Sequence, residues 1–189
     1  MTTFPPQPIP AKQKSLKGFY VAMGVLLALT VGGWFAWTPL KIMYYEKKVE
    51  IASSLVLVPL KSGWSERHVK AHELAMLGPA SYKSFARLLG KGSSVDRIEV
   101  MMGLSSPGNT LWALPLYADV AMSKHSDSRI PAIAAELAAT MVEVDLGRPV
   151  VQWPERKKFK NDEEHRLAIS NCFLDWWERE GKAMYGIGE

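Results

Sequence analysis

The chain has 189 residues, 48% of them apolar, with 7 Trp, 9 Met and a single cysteine. That composition excludes wholesale disorder, an intrachain disulfide framework and any cysteine-rich zinc module. The formal charge is only +4. Three of the 23 basic residues, Lys12, Lys14 and Lys17, fall within the first 17 positions, which hold no acid, and the remaining 20 nearly balance the 19 acids. Such a body gives no support for nucleic-acid binding, despite a pI near 9.1.

Residues 1–17 form a Pro-rich, basic tail whose TTFPPQPIPAKQK run favours extended chain. Residues 18–38 follow as the clearest local signal. From Phe19 to Trp37 there is no charged side chain. At a rise of 1.5 Å per residue the stretch nearly crosses a hydrocarbon core of about 30 Å. Phe19 and Tyr20 stand at one end and Trp34, Phe35 and Trp37 at the other, where amphipathic rings favour the interface. A cleaved signal peptide is the main rival, but Gly32-Gly33-Trp34-Phe35-Ala36-Trp37 is too bulky for a small-residue cleavage site. The expectation is a single-pass helix in the bilayer through residues 19–37. The lysines of the tail favour a cytoplasmic N-terminus and an extracytoplasmic body, although Lys41, Lys47 and Lys48 follow closely on the other side. Gly24, Ala28, Gly32 and Ala36 recur every four residues, a small-residue face on which another helix packs closely. The segment offers no side chain for a cofactor or a proton relay.

Residues 39–61 read as a juxtamembrane connector. Thr38 suits a cap and Pro39 a first helical position, with Ile42, Tyr45, Val49 and Ala52 as a loose apolar stripe. Residues 62–189 then read as an all-α domain of short helices. Gly78-Pro79 separates a segment over 64–77 from a helix bearing Tyr82, Phe85, Leu88 and Leu89. Ser93 and Asp96 open a third with Val95, Ile98, Met101 and Met102 inward, ended by Pro107-Gly108-Asn109. The fourth buries Ala113, Leu116, Tyr117, Val120 and Ala121, with Pro115 imposing a kink or late start. The fifth carries Ile130, Ile133, Ala134, Leu137, Ala138, Met141 and Val142 at helical spacing. Asn161 and Glu164 open a sixth with Ile169, Cys172, Phe173 and Trp176, ending at Gly181. Adjacent Trp176 and Trp177 point about 100° apart on a helix, so one of them is expected to face outward.

Shifting the chain by 32 residues places Phe85 on Tyr117, Ala86 on Ala118, Arg97 on Arg129 and Ile98 on Ile130. The run LGPASYKSFARLLGKGSSVDRIEVMMGL resembles a HEAT-type repeat, with its Leu-Gly-Pro opening and its Asp/Val/Arg step into a second helix. The resemblance covers about residues 74–146 as two units. It implies a short α-solenoid used for protein–protein contact, and it carries over no catalytic residue. A non-repetitive helical bundle is the alternative.

Chemical candidates are few. His68 and His72 are spaced to share a metal on one helical face, but Val69 replaces the glutamate of the metalloprotease motif and no third ligand is apparent. Two solvent-facing histidines are the plainer reading, and His125 and His165 stand alone. Cys172 sits mid-helix among apolar residues, where a thiol packs as a small hydrophobe. No catalytic residue, cofactor or metal is assigned. The loop from Gly147 to Lys160 is the most unusual soluble feature. Trp153 offers an anchor and Arg156, Lys157 and Lys158, with Lys160, a basic cluster for a partner, with Trp177 a further candidate. The alternative for the cluster is a solvated loop balanced by Asp162, Glu163 and Glu164. The expected function is a membrane-anchored adaptor contacting other subunits of a membrane complex. A free-standing tethered binding or chaperone module, and less so a metal enzyme using His68 and His72, are the alternatives.

Overall fold

The computed structural model describes residues 16–55, 63–105 and 111–186. Among these, every regular element is a helix. The helices are α1 (Leu16–Ile51), α2 (Glu66–Ala75), α3 (Tyr82–Leu89), α4 (Ser94–Ser105), α5 (Leu114–Met122), α6 (Arg129–Leu146), α7 (Asp162–Trp176) and the short α8 (Lys182–Met184). The chain divides into two compact units, Met1–Trp37 and Thr38–Glu189.

In the first unit, every side chain described from Phe19 to Trp37 is exposed. The helix is long and apolar enough to cross a membrane, with mean hydropathy 1.8. Its one aliphatic hydroxyl among residues 19–37 is internally satisfied, because Thr30 Oγ1 donates to the Leu27 carbonyl at 2.9 Å.

α1 runs without a break through Thr38 and Pro39, so the expected fresh start at Pro39 is corrected. A proline inside a helix forfeits one backbone hydrogen bond. Within the second unit the following turns recover packing: Val49 and Ala52 are buried, with Ile42 and Tyr45 against the same core. The connector stripe is therefore part of the body's core. Glu46 fixes this segment to α3, accepting from Arg87 Nε at 2.8 Å, Arg87 Nη2 at 2.6 Å and Ser84 Oγ at 2.6 Å. Its carboxyl is held below the usual range, chiefly by the Arg87 hydrogen bonds.

α2 and α4 share the most extensive helix–helix contact among the described residues. Ser65 caps α2 by accepting from the His68 N–H at 3.1 Å, and gives its own hydroxyl proton to Glu99 of α4 at 2.8 Å. One turn on, a Cβ on Gly103 would lie 2.5 Å from Ala71 Cβ, 2.6 Å from the His68 carbonyl and 2.9 Å from the His72 amide. Contacts advance in step along both helices, from Ser65 and His68 at Glu99 to Ala71 and His72 at Gly103. The two helices therefore run side by side in the same direction. Arg67 completes the junction. Its Nη2 donates to the Ala52 carbonyl at 2.7 Å at the end of α1, and its Nε lies 3.3 Å from Asp96 Oδ1. Asp96 also accepts from Ser54 Oγ and the Ser93 amide, while the Asp96 amide donates back to Ser93 Oγ. Burial pushes the Asp96 carboxyl up, but the Ser54 and Ser93 bonds and the Arg67 charge outweigh it and hold it below the usual range. The expected capping pair of Ser93 and Asp96 thus also serves as a tertiary hub.

Beyond this junction α4 packs on α3 and α6, α3 on α5, α5 on α6, and α6 on α7. α6 presents Ala132, Ala134, Ala135, Ala138 and Ala139 inward, and such small residues let neighbouring helices approach. Gly147 closes α6 at φ +65°, the left-handed position where glycine is favoured. Tyr117 of α5 is buried and donates its phenolic proton to the Met101 carbonyl of α4 at 2.7 Å. Pro115 acts through a late start, with a 3₁₀ turn over Leu111–Ala113 before the helix.

Three expectations are revised. On α4, Val95 and Met102 are 42% and 38% exposed, whereas Val100, Met101 and Leu104 are buried. The inward arc is rotated by about one position, because Gly103 must face α2. The end of that helix at 107–109 lies outside the described residues. Gly181 does not stop the last helix. Trp177–Gly181 winds as one π-turn and leads into α8. This turn also buries both adjacent tryptophans, Trp176 at 4% and Trp177 at 1% exposure, so the outward-facing ring expected of the pair is corrected. A Cβ on Gly181 would meet Trp177 at 2.6 Å and Trp176 at 2.9 Å, so the absent side chain makes room for both rings beside Phe173.

Gly103→Ala is expected to lower stability by about 2 kcal/mol despite alanine's better helix propensity, since two of the three clashing atoms are backbone. Thermal unfolding followed by circular dichroism checks this. Gly24→Ala, where a Cβ meets nothing within 4 Å, should leave the body's transition unmoved.

Candidate functional site: the α6–α7 groove and its covering loop

The loop singled out for Trp153 and the basic cluster is firmly tied. His165 Nε2 on α7 lies 2.9 Å from the Pro154 carbonyl, and the Phe159 ring packs 5.4 Å from the His165 ring. Arg156, Lys157 and Lys158 form a single 3₁₀ turn. Arg156 bonds Asp162 Oδ1 at 2.6 Å and the Phe159 carbonyl at 2.9 Å, while Lys157 pairs with Glu155 at 2.9 Å. The Asp162 carboxyl is held below its usual range, first by the Arg156 hydrogen bond. Asn161 caps α7, accepting from the Glu164 amide at 2.8 Å. Much of the cluster's charge is therefore balanced by neighbouring acids, as the solvated-loop alternative expects, and Lys158 is left pointing to solvent.

Trp153 is 36% exposed and lines a depression of about 440 Å³ with Glu136, Thr140, Pro154, His165 and Ile169. A second depression of about 440 Å³ adjoins it, floored by Ala132, Ile133 and Ile169 and rimmed by Arg129, Asp162 and Arg166. Of the residues named for partner contact, Trp153 borders this groove and Arg156 lies beside it through Asp162. Trp177 does not join them, because it is buried against Phe173. Sequence reasoning missed Glu136 and Thr140, although their four-residue spacing opposite the alanine face of α6 carries the signal.

The histidine pair is built differently from the solvent-facing reading. His68 is buried, its ring stacked on Trp64 at 4.1 Å with Nδ1 3.6 Å from Glu99 Oε2, and the His72 ring meets Trp64 edge-on at 5.6 Å. Among the described residues no three potential ligands cluster around a metal position. Cys172 is partly buried, and burial pushes its thiol up, away from the reactive thiolate.

The two arginines related by the 32-residue shift act locally in different ways. Arg129 forks onto Asp127 at 2.7–3.1 Å, holding that carboxyl far below its usual range. Arg97 instead crosses to the α5–α6 loop, where its Nη1 donates to His125 Nδ1 at 2.9 Å. No family matches the chain, and no curated protein or solved structure is significantly similar to it.

Because Arg97 is a donor only, the His125 ring accepts through Nδ1 and is neutral in this arrangement. Burial first, and the Arg97 charge second, depress its pKa below 6.5. The neutral form is favoured in the fold, so this contribution to stability is present above the unfolded pKa near 6.5. It is lost as pH falls through the lowered folded value. NMR titration of the His125 ring is expected to give a midpoint below 6.5, and Arg97→Ala should move it upward.

Proposed function

We propose that this chain is a non-catalytic, membrane-anchored helical-repeat adaptor, an accessory subunit held in a larger membrane complex. The single observation that carries the reading is the exposed, uncharged helix from Phe19 to Trp37, followed by a body built from successive packed helices. In a bilayer, residues 19–37 serve as anchor, with the N-terminus cytoplasmic and the body extracytoplasmic. The Gly24–Ala28–Gly32–Ala36 face offers room for a neighbouring helix, since nothing lies within 4 Å of a Cβ on Gly24 or Gly32.

The HEAT-like reading draws support from the order of contacts. α3 with α4, and α5 with α6, form consecutive pairs whose first helices touch each other and whose second helices touch each other. The end of α1 and α2 extend the same order backward, through Glu46 to α3 and through Ser65 and Arg67 to α4. Same-direction α2 and α4 separated by α3 are what a stack of helical pairs requires. On this view the repeat begins earlier than residue 74, and the connector supplies its first layer. The groove beside Trp153 is then the partner face, with Trp153 as its anchor and Arg156, Lys157 and Lys158 beside it.

Gly32→Leu in the anchor and Trp153→Ala in the loop test the assignment by native gel after extraction in mild detergent. The parent is expected to run in a stable complex that each variant weakens. If parent and both variants run as the same monomer, the subunit reading fails and a free-standing tethered module takes its place.

A further inference from the structure

The exposed side of α6 is bordered by a trough along its whole length. The depression at Arg129 and Ile133 passes into the one at Trp153 through Glu136, His165 and Ile169, which line both. Thr140 in turn lines a third depression of about 300 Å³ with Val144, Gly147 and Arg148. Residues 129, 133, 136, 140, 144 and 147 follow one face of a helix. Eighteen residues of helix give a trough of about 27 Å at 1.5 Å per residue. That length accepts about eight residues of extended polypeptide at ~3.3 Å each.

Charge selects among possible occupants. Arg129 pairs with Asp127 and Arg156 with Asp162, while Arg166, whose Nη1 lies 3.5 Å from Ser128 Oγ, lines the first depression but not the one at Trp153. The His165 ring is held by the Pro154 carbonyl. Glu136 is exposed and enters no ion pair among the described residues. It sits between the apolar floor at Ile133 and Ile169 on one side and Trp153 on the other. Of the Asp, Glu, Lys and Arg side chains, Glu136 alone lines the Trp153 depression, so there the trough presents one carboxylate flanked by two apolar surfaces. Arg148 and Glu143, neither in an ion pair among the described residues, close the far end.

We propose that this trough binds an extended segment of a partner polypeptide, whose lysine or arginine meets Glu136 and whose flanking apolar side chains seat on Ile133–Ile169 and on Trp153. The assignment rests on the adaptor reading and names the chemistry of its partner. A lone carboxylate between apolar contacts sets register and discriminates by charge more than it adds raw affinity.

The test uses the full chain in detergent micelles and a library of nine-residue peptides with apolar neighbours around a central Lys, Arg, Gln, Leu or Glu, read by fluorescence anisotropy. Central Lys or Arg is expected to bind at least tenfold tighter than Gln or Glu. Glu136→Lys should invert the preference toward Glu, and Trp153→Ala should weaken every peptide about tenfold. Glu180→Lys, on the π-turn outside the trough, should change neither. If Glu136→Lys fails to fold, Glu136→Gln should abolish the basic preference without inverting it. Absence of a basic preference, or its survival in Glu136→Lys or Glu136→Gln, overturns the proposal. Competition by a peptide of residues 2–14 overturns it in favour of a second copy of this chain. A stable native complex together with no basic preference removes the trough assignment alone, whereas a monomeric parent removes the adaptor reading.

Discussion

The closest approach of α2 and α4 is the constraint on which the arrangement of the body depends. Neither helix is long, and neither has a strong apolar stripe of its own. What joins them is the missing side chain of Gly103, which lets Ala71 and the backbone around His68 and His72 come into direct contact. Ser65–Glu99 and Arg67–Asp96 then fix rotation and register on the same junction. Dispersion contacts at backbone distance are numerous, and the polar links around them are mostly screened from solvent, so each reinforces the other. The same junction reaches the end of α1, because Arg67 donates to the Ala52 carbonyl.

From that fixed pair the remaining helices are added in order. α4 offers its other sides to α3 and α6, and Tyr117 of α5 reaches the Met101 carbonyl across the core. The alanine face of α6 accepts neighbours closely, which leaves its opposite face, Glu136 and Thr140, for the groove. Loop 147–160 stays near this face because α6 ends at a left-handed glycine and α7 begins at a capping asparagine. The loop then closes on itself through Arg156–Asp162 and on α7 through His165 and the Pro154 carbonyl. A tryptophan held in this way loses little freedom when a partner covers it.

Much of this was legible in the residues because helical periodicity and caps are local signals. The stripes on α5 and α6, the Ser93–Asp96 and Asn161–Glu164 openings and the Ile42–Val49–Ala52 stripe all reappear. Other features depend on distant neighbours. The rotation of α4 was misjudged because Gly103 looks like a gap in the apolar stripe until α2 lies on it. Trp177 was expected outside because a 100° separation seems too wide for one buried surface, and only the glycine four residues on makes room for it. His68 became part of the packing through Trp64, a stacking that spacing alone does not reveal. The candidate groove was half legible: Trp153 was singled out by its isolation, whereas Glu136 gained meaning only when loop and helix were seen together.

The central claim is that the body is organised by the α2–α4 junction. Native-state hydrogen exchange, resolved to individual helices in the full chain, tests it most directly. Amides of α2, α4 and α6 are expected to open together, with the highest and equal free energies, while α8 and loop 147–160 open earlier. Exchange of α2 through a local opening much easier than that of α6 would contradict the account, because α2 would then be an appendage rather than half of the junction.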